Sequence, residues 1–292
     1  MSLRILDQGS FGAAAVNDDA YGAVGDFAWV LDGATGLGRN LVSPSSDAAW
    51  LAQAINEELA RACSAHQDLA TQEILRLALG RVEARYHAAL AGQAVELFER
   101  PTAAGILLRA FPDQLELTSF GDCRAIFQGE DGLDGFGGGL IEALDSASIA
   151  ALKAVFVAKP QASLKEARAE IWPLLRAQRI EFNTEGGHWA LAPDPAVAGR
   201  GSTRIVARRP GPILLASDGF TRLWDVFGLL GAGDALAACV AGQGAELYAR
   251  LRGAEIADPE ARTFARIKQH DDATWLCIQV EQGVEERRGR SS

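Results

Sequence analysis

Several patterns that mark large functional classes are missing from this chain. Its four cysteines, Cys63, Cys123, Cys239 and Cys277, are scattered and form no Cys-x-x-Cys pair. That argues against a zinc knuckle or a disulfide frame and fits reduced thiols. The residues six places beyond them are Leu69, Gly129, Ala245 and Gly283, so no Cys-x5-Arg phosphate cradle exists. There is no Gly-Lys-Ser or Gly-Lys-Thr of a Walker loop, no His-Glu-x-x-His zinc helix and no Gly-x-Ser-x-Gly elbow. His66, His87 and His188 stand alone and read as surface or packing residues, and His270 differs only in preceding an aspartate. A basic surplus is absent too. The net charge of -10 argues against a nucleic-acid binder and against attraction to anionic membranes. No apolar run approaches the ~18 residues of a membrane span. Met1-Ser2-Leu3-Arg4-Ile5-Leu6-Asp7 lacks a signal-peptide core, so the expected setting is cytoplasmic.

What the chain does have is carboxylate, placed at the ends of apolar runs. The motifs are Asn17-Asp18-Asp19, then Asp32-Gly33-Ala34-Thr35-Gly36, then Ser217-Asp218-Gly219, then Asp271-Asp272-Ala273-Thr274. Asp-Gly is also a common turn dipeptide. A hairpin turn, however, should lead into a second alternating strand. Asp32-Gly33 leads into the loop sequence Ala34-Thr35-Gly36-Leu37-Gly38, and Asp218-Gly219 into the helical pattern Phe220-Thr221-Arg222-Leu223-Trp224. Carboxylates gathered at strand ends repel one another, and oxygen-only ligands favour magnesium or manganese.

In their order these motifs resemble the metal-dependent protein phosphatases of type 2C. Those proteins carry Asn-Glu-Asp, Asp-Gly-x-Gly-Gly, Gly-Asp-Ser-Arg, Ser-Asp-Gly and Asp-Asn-x-Thr. Here the counterparts are Asn17-Asp18-Asp19, Asp32 to Gly36, Gly121-Asp122-Cys123-Arg124, Ser217-Asp218-Gly219 and Asp271-Asp272-Ala273-Thr274. The resemblance runs from about residue 8 to about residue 281.

The 292 residues, 48% of them hydrophobic, suffice for one large core or two small ones. Strands broken by turns are expected over about 5–31. A helix is predicted from Ser45 or Ser46, with Asp47 in its first turn and Trp50, Leu51, Ala54, Ile55, Leu59 and Ala62 on one face. A second follows from about Thr71, with Ile74, Leu75, Ala78, Leu79, Val82, Tyr86 and Leu90. Two consecutive helices suit a helix pair packed on a sheet. Strands are expected over 104–110, 115–118 and 123–128, around 204–206, and over 213–217 and 274–280. The glycine-rich stretch 135–139 reads as a loose loop or hinge. Helical composition over 144–157 and 164–180 marks an insertion at about 141–181. More helices are expected over 220–266, and a polar disordered tail over 284–292.

The resemblance implies an αββα four-layer sandwich of α+β class, two antiparallel sheets flanked by helix pairs, with residues 1–283 as the catalytic domain. It implies hydrolysis of phosphoserine or phosphothreonine in proteins by a metal-activated water. Two Mn2+ or Mg2+ ions are implied, with a third as in bacterial members. Asp32 would bridge two ions, Asp18 and the Gly33 carbonyl would serve one, and Asp218 and Asp271 the other. Asp19 would hold metal-bound water, and Asp122 with Asp218 would form the third site. The implied partners are a phosphorylated protein and a cognate serine/threonine kinase, and the insertion falls where the family has a variable flap. A helical hairpin over a sheet edge is an equal reading of it.

The chain departs from that pattern in places. Asp18 is one methylene shorter than the usual Glu, leaving room for a water. Ala34 replaces a His, Cys123 replaces a Ser and reads as a packing residue, and Asp272 replaces an Asn. Most seriously, Ala13-Ala14-Ala15 stands where many members have a phosphate-holding Arg. Arg39 and Arg222 are the candidate replacements, since each follows a glycine-containing loop. Two other functions stay open: a phosphatase-like module that binds and regulates a partner without catalysis, and a phosphoesterase for small metabolites.

Overall fold

A computed structural model describes residues 3–138 and 142–281. The polar tail expected over 284–292 lies outside them, as do Gly139 and the first residue of the insertion. The strands and helices come in the order β1 (Leu3–Phe11), β2 (Asp19–Val24), β3 (Phe27–Gly33), α1 (Asp47–Ala65), α2 (Thr71–Leu90), β4 (Ala103–Ala110), β5 (Gln114–Phe120), β6 (Arg124–Gln128) and β7 (Leu133–Gly137). There follow α3 (Glu142–Ala158), α4 (Leu164–Glu170), α5 (Trp172–Ile180), β8 (Ser202–Ala207), β9 (Gly211–Ala216), α6 (Asp218–Asp225), α7 (Ala232–Val240), α8 (Gly244–Ala257) and β10 (Ala273–Val280).

The strands form two five-stranded sheets, β1-β10-β9-β6-β7 and β2-β3-β4-β5-β8, and every pairing is antiparallel. Side-chain alternation explains the layering. On β3, Ala28 and Val30 face the other sheet, while Phe27, Trp29 and Leu31 face α1 and α2. On β10, Leu276, Ile278 and Val280 face the inter-sheet core, while Trp275 and Cys277 face α6, α7 and α8. Central strands buried on both faces read as unbroken apolar runs, as Phe27-Ala28-Trp29-Val30-Leu31 does. The result is the αββα sandwich. Burying a large apolar side chain contributes about 1.5–3 kcal/mol, and Trp29 and Trp275 are each about 1% exposed. The four cysteines are buried free thiols.

Helix α1 starts where its sequence predicts: the Ser46 hydroxyl caps the Ala49 amide at 3.2 Å. Three expectations are corrected. The 135–139 stretch was expected as a loose loop, but Leu133–Gly137 is an edge strand paired along β6. Backbone pairing needs no apolar side chains, and Arg204 anchors the strand through Asp134 at 2.5 and 3.0 Å. The expected 164–180 helix breaks at Ile171, where a new first turn carries Pro173. The last outer helix ends at Ala257, and 258–272 is a loop. Asp258 organises that loop by accepting from the amides of Arg262, Thr263 and Phe264.

The insertion has its own small core, Leu152, Leu164, Ala167 and Ile171, closed by Ala261 from the 258–272 loop. Among the described residues no helix is long and apolar enough to cross a membrane.

Leu108, fully buried between the sheets, and Leu152, fully buried in the insertion, therefore belong to separate cores. Leu108→Ala is expected to lower global stability by about 2–5 kcal/mol. Leu152→Ala is expected to speed hydrogen exchange of the 142–180 amides and leave the β-strand amides unchanged. Exchange mass spectrometry reads both outcomes.

Candidate metal centre

The sheet registers bring the aspartates together. Asp19 and Asp32 are opposed on the paired strands β2 and β3. Asp218 follows β9 directly and Asp271 and Asp272 precede β10, and β9 pairs with β10. The two halves are tied at several points. The Asp272 carboxylate accepts from the Asp18 amide at 2.7 Å and the Ala13 amide at 2.5 Å. Within the β9–β10 half, Ser217 N donates to the Thr274 carbonyl at 3.0 Å, and Thr274 N donates to the Ser217 hydroxyl at 3.0 Å. Asn17 donates to Ser10 at 2.8 Å and accepts from the Asp19 amide at 3.0 Å, which shapes the Asn17-Asp18-Asp19 turn.

Two glycines permit the close approach. A Cβ on Gly33 would lie 2.4 Å from the Asp18 carbonyl oxygen, and one on Gly219 would lie 1.8 Å from the Asp272 carbonyl oxygen. At Asp32-Gly33 and Asp218-Gly219 the glycine is thus demanded by neighbouring backbone, not by a hairpin turn.

The electrostatics are those of a crowded carboxylate cluster. Asp19 is 2% exposed and neither of its oxygens has a hydrogen-bond partner. Burial pushes its carboxyl well above the ordinary range, Asp272 and Asp271 add to the rise, and the nearby Thr274 and Ser217 hydroxyls offset only part of it. Asp32 is also pushed well up, by burial first and then by Asp19, Asp218 and Asp122. Asp18 is raised by burial, opposed by the Ser46 hydroxyl that donates to it at 2.6 Å. Carboxyl oxygens of Asp32 and Asp122 and the Cys123 sulfur lie within 4.8 Å of one another. The substituted Cys123 is thus buried against the cluster.

Asp271 is managed differently. Arg222 donates to one of its oxygens at 2.5 Å and Lys268 to the other at 2.7 Å. Burial alone would raise the Asp271 carboxyl, but these two cations outweigh it and hold it below the usual range. Behind them Glu255, fully buried, accepts from Arg222 at 3.2 Å and from Arg252, and lies 2.9 Å from His270 Nδ1. His270 thus reaches the cluster only through Glu255 and Arg222.

A cavity of about 350 Å3 opens on Asp32, Asp122, Asp218 and Asp271, and the insertion walls its far side with Arg168, Leu175 and Arg179. The donor set fits hard divalent cations: the cavity offers several carboxylates, two oxygens of Asp19 are orphaned, and burial with the neighbouring carboxylates pushes the Cys123 thiol up, which disfavours it as a thiolate ligand. Arg39 and Arg222, the sequence candidates for holding phosphate, are both engaged. Arg39 does not line the cavity. It is clasped by Glu99 at 2.7 and 2.8 Å and holds that carboxyl down at about 2. Arg222 lines the cavity but is committed to Asp271 and Glu255. Ala14 is exposed and brings no charge. Sequence reasoning missed Lys268, which its i,i+3 spacing to Asp271 could have flagged, and the insertion's Arg168 and Arg179, which no motif marks.

Comparison with solved structures gives the same fold. The Mycobacterium tuberculosis serine/threonine phosphatase PstP/Ppp superposes with a TM-score of 0.55 at 15% identity, covering 96% of this chain and 100% of that one. The catalytic domain of PstP in complex with two manganese ions gives 0.53 at 14% identity, over 95% and 97%. The Staphylococcus aureus serine/threonine phosphatase Stp1 gives 0.53 at 13% identity, over 96% and 98%. No protein-family model and no curated protein sequence matches the chain.

Three outcomes follow for the metal-free protein. Because the folded state raises the Asp19 and Asp32 carboxyls, it favours their protonated forms. That contribution is fully present below the ordinary carboxylate range and is lost as pH rises through the raised values. Asp271, held low, acts the other way and only at more acid pH. The melting temperature should therefore fall as pH rises above the ordinary carboxylate range, about 4. Asp32→Asn should raise it at pH 8 by a few degrees, the response of a domain this size to roughly 1–2 kcal/mol. A wild-type midpoint that is flat or rises with pH there contradicts the cluster. Gly219→Ala forces Asp272 away from the α6 start, and a loss of about 1–3 kcal/mol in denaturant unfolding is expected.

Proposed function

We propose that this chain is a type 2C-like phosphatase that hydrolyses phosphoserine or phosphothreonine in proteins with bound Mn2+ or Mg2+. What supports the reading is the gathering of Asp32, Asp122, Asp218 and Asp271, from four chain segments, at one cavity floor, with Asp19 opposed to Asp32 behind it, in a fold shared with bacterial serine/threonine phosphatases. When bound, such ions would offset the charge of the transferring phosphoryl group and lower the pKa of a water.

The chain's own residues would divide the work as follows. Asp32 would bridge two ions, with Asp18 and the Gly33 carbonyl on one and Asp218 and Asp271 on the other. Asp122 with Asp218 would take a third. Asp19 offers two unpartnered oxygens, which suit it to accept hydrogen bonds from the attacking water and orient it. Lys268 and Arg222 keep Asp271 ionised, so that it remains a ligand rather than a protonated acid. The apolar wall, with Leu175 and Phe182, limits competing water in the cavity. The natural substrate on this reading is a phosphorylated protein in the cytoplasm, with a cognate serine/threonine kinase as counterpart.

The test is hydrolysis of p-nitrophenyl phosphate, a phosphothreonine peptide and small phosphorylated metabolites with manganese or magnesium. Turnover is expected with either ion, is abolished by EDTA, and favours the peptide over metabolites. Asp32→Asn and Asp218→Asn should each reduce kcat about a hundredfold or more with the circular dichroism spectrum unchanged. Full activity in either variant sinks the assignment. Absence of turnover under every condition favours a partner-binding module, and preference for a metabolite favours a small-molecule phosphoesterase.

A further inference from the structure

The cations around the cavity fall into two groups. Arg222 and Lys268 are paired with Asp271, Arg266 with Asp258 at 2.9 Å, and Arg124 with Asp225 at 3.3 Å. Arg168 of α4 and Arg179 of α5 line the same cavity, and among the described residues no carboxylate pairs with either. The Arg168 Nε is buried without any partner. Arg179 makes one long bond, 3.3 Å, to the Thr35 carbonyl. Burial depresses both guanidiniums, Arg179 to about 10, and Asp271 is the one charge that works against this at Arg168. Both residues are half-buried, and a guanidinium partly withdrawn from water without a counter-anion is costly unless something supplies the missing charge.

These two residues are also held in place. Arg168 lies 5.4 Å from the Trp172 ring and Arg179 5.6 Å from that of Phe182. On α5, Arg176 donates to the Leu37 carbonyl at 2.8 Å and stacks 4.3 Å from Phe98. The Arg176 and Arg179 contacts dock α5 on the loop that leaves β3 just after Asp32 and Gly33. The small core of Leu152, Leu164, Ala167 and Ile171 fixes α4 and α5 relative to α3. The segment before Asp18 supplies no cation at all, since it reads Ala13-Ala14-Ala15.

We infer that Arg168 and Arg179 form the phosphate clamp of this protein, binding the dianionic phosphate monoester of the substrate from the insertion's side of the cavity, opposite Asp32, Asp218 and Asp271. A planar guanidinium presents paired donors matched to phosphate oxygens, and two of them offset the two charges of the monoester. The inference rests on the phosphatase reading for the identity of its ligand. The insertion is then part of the substrate site, and the anion that the missing N-terminal arginine would hold is held from elsewhere.

The test measures binding of inorganic phosphate by calorimetry and steady-state hydrolysis of p-nitrophenyl phosphate, with manganese present. The proteins are wild type, Arg168→Gln, Arg179→Gln, both lysine variants, and Arg200→Gln, an arginine paired with exposed Glu185 outside the cavity. Each glutamine variant of the clamp should weaken phosphate binding about tenfold or more and raise KM in parallel. The value of kcat should change much less, and lysine should restore part of the affinity. Arg200→Gln should leave phosphate binding near wild type. If Arg168→Gln does not fold, Arg168→Lys and Arg179→Gln carry the test. Phosphate affinity and KM unchanged in the clamp variants, with wild type active, overturn the clamp alone. Arginine-dependent phosphate binding without any turnover supports the clamp and overturns the phosphatase reading. A wild type that neither binds phosphate nor turns over overturns both.

Discussion

Carboxylates a few ångströms apart in a partly dry seam repel one another by several kcal/mol per pair at an effective dielectric near 20. Asp19, Asp32, Asp218 and Asp271 are in that position because β2 pairs with β3 and β9 with β10. The chain handles the repulsion in two ways. On the Asp271 side it supplies its own cations, Arg222 and Lys268, backed by Glu255 and Arg252. On the Asp19–Asp32 side no cation among the described residues is hydrogen-bonded to either carboxyl, so both are raised and two Asp19 oxygens stay unpartnered. That asymmetry makes the second half of the cluster the stronger attractor for an external cation.

The same repulsion accounts for the tight stitching around the site. Asp272 spends both oxygens on the Ala13 and Asp18 amides and so pins the first motif to the last. Gly33 and Gly219 are small because carbonyl oxygens from the opposite motif sit where a Cβ would go. Residues that look like ligands by their chemistry can therefore serve as fasteners: Asp272 holds backbone, while its neighbour Asp271 faces the cavity.

The insertion completes the arrangement from the other side. It packs around its own core and the 258–272 loop rather than in the sandwich, so its sequence can change without disturbing the sheets. It also brings arginines to a cavity whose floor is acidic. An acidic floor and a basic wall give the two electrostatic halves that a phosphoryl group bridged to cations requires.

Much of this is written in the sequence. The double-faced apolar strands, the Ser46 cap and the spaced faces of α1 and α2 are local signals, set by side-chain period and capping chemistry, and they carry into the fold. The aspartate motifs are legible for the same reason, since each is a few residues at the end of a strand. Partnership is not local. That Arg39 belongs to Glu99, Arg222 to Asp271 and Glu255, and Lys268 to Asp271 depends on which loops meet after folding. Gly135 looks like linker by composition but lies in a strand, because an edge is paired through backbone that composition does not report. The sequence alone determined which residues carry charge and which elements they terminate. The tertiary structure alone decided which charges cancel, because charge pairing depends on distance and burial, and both arise only when distant segments pack.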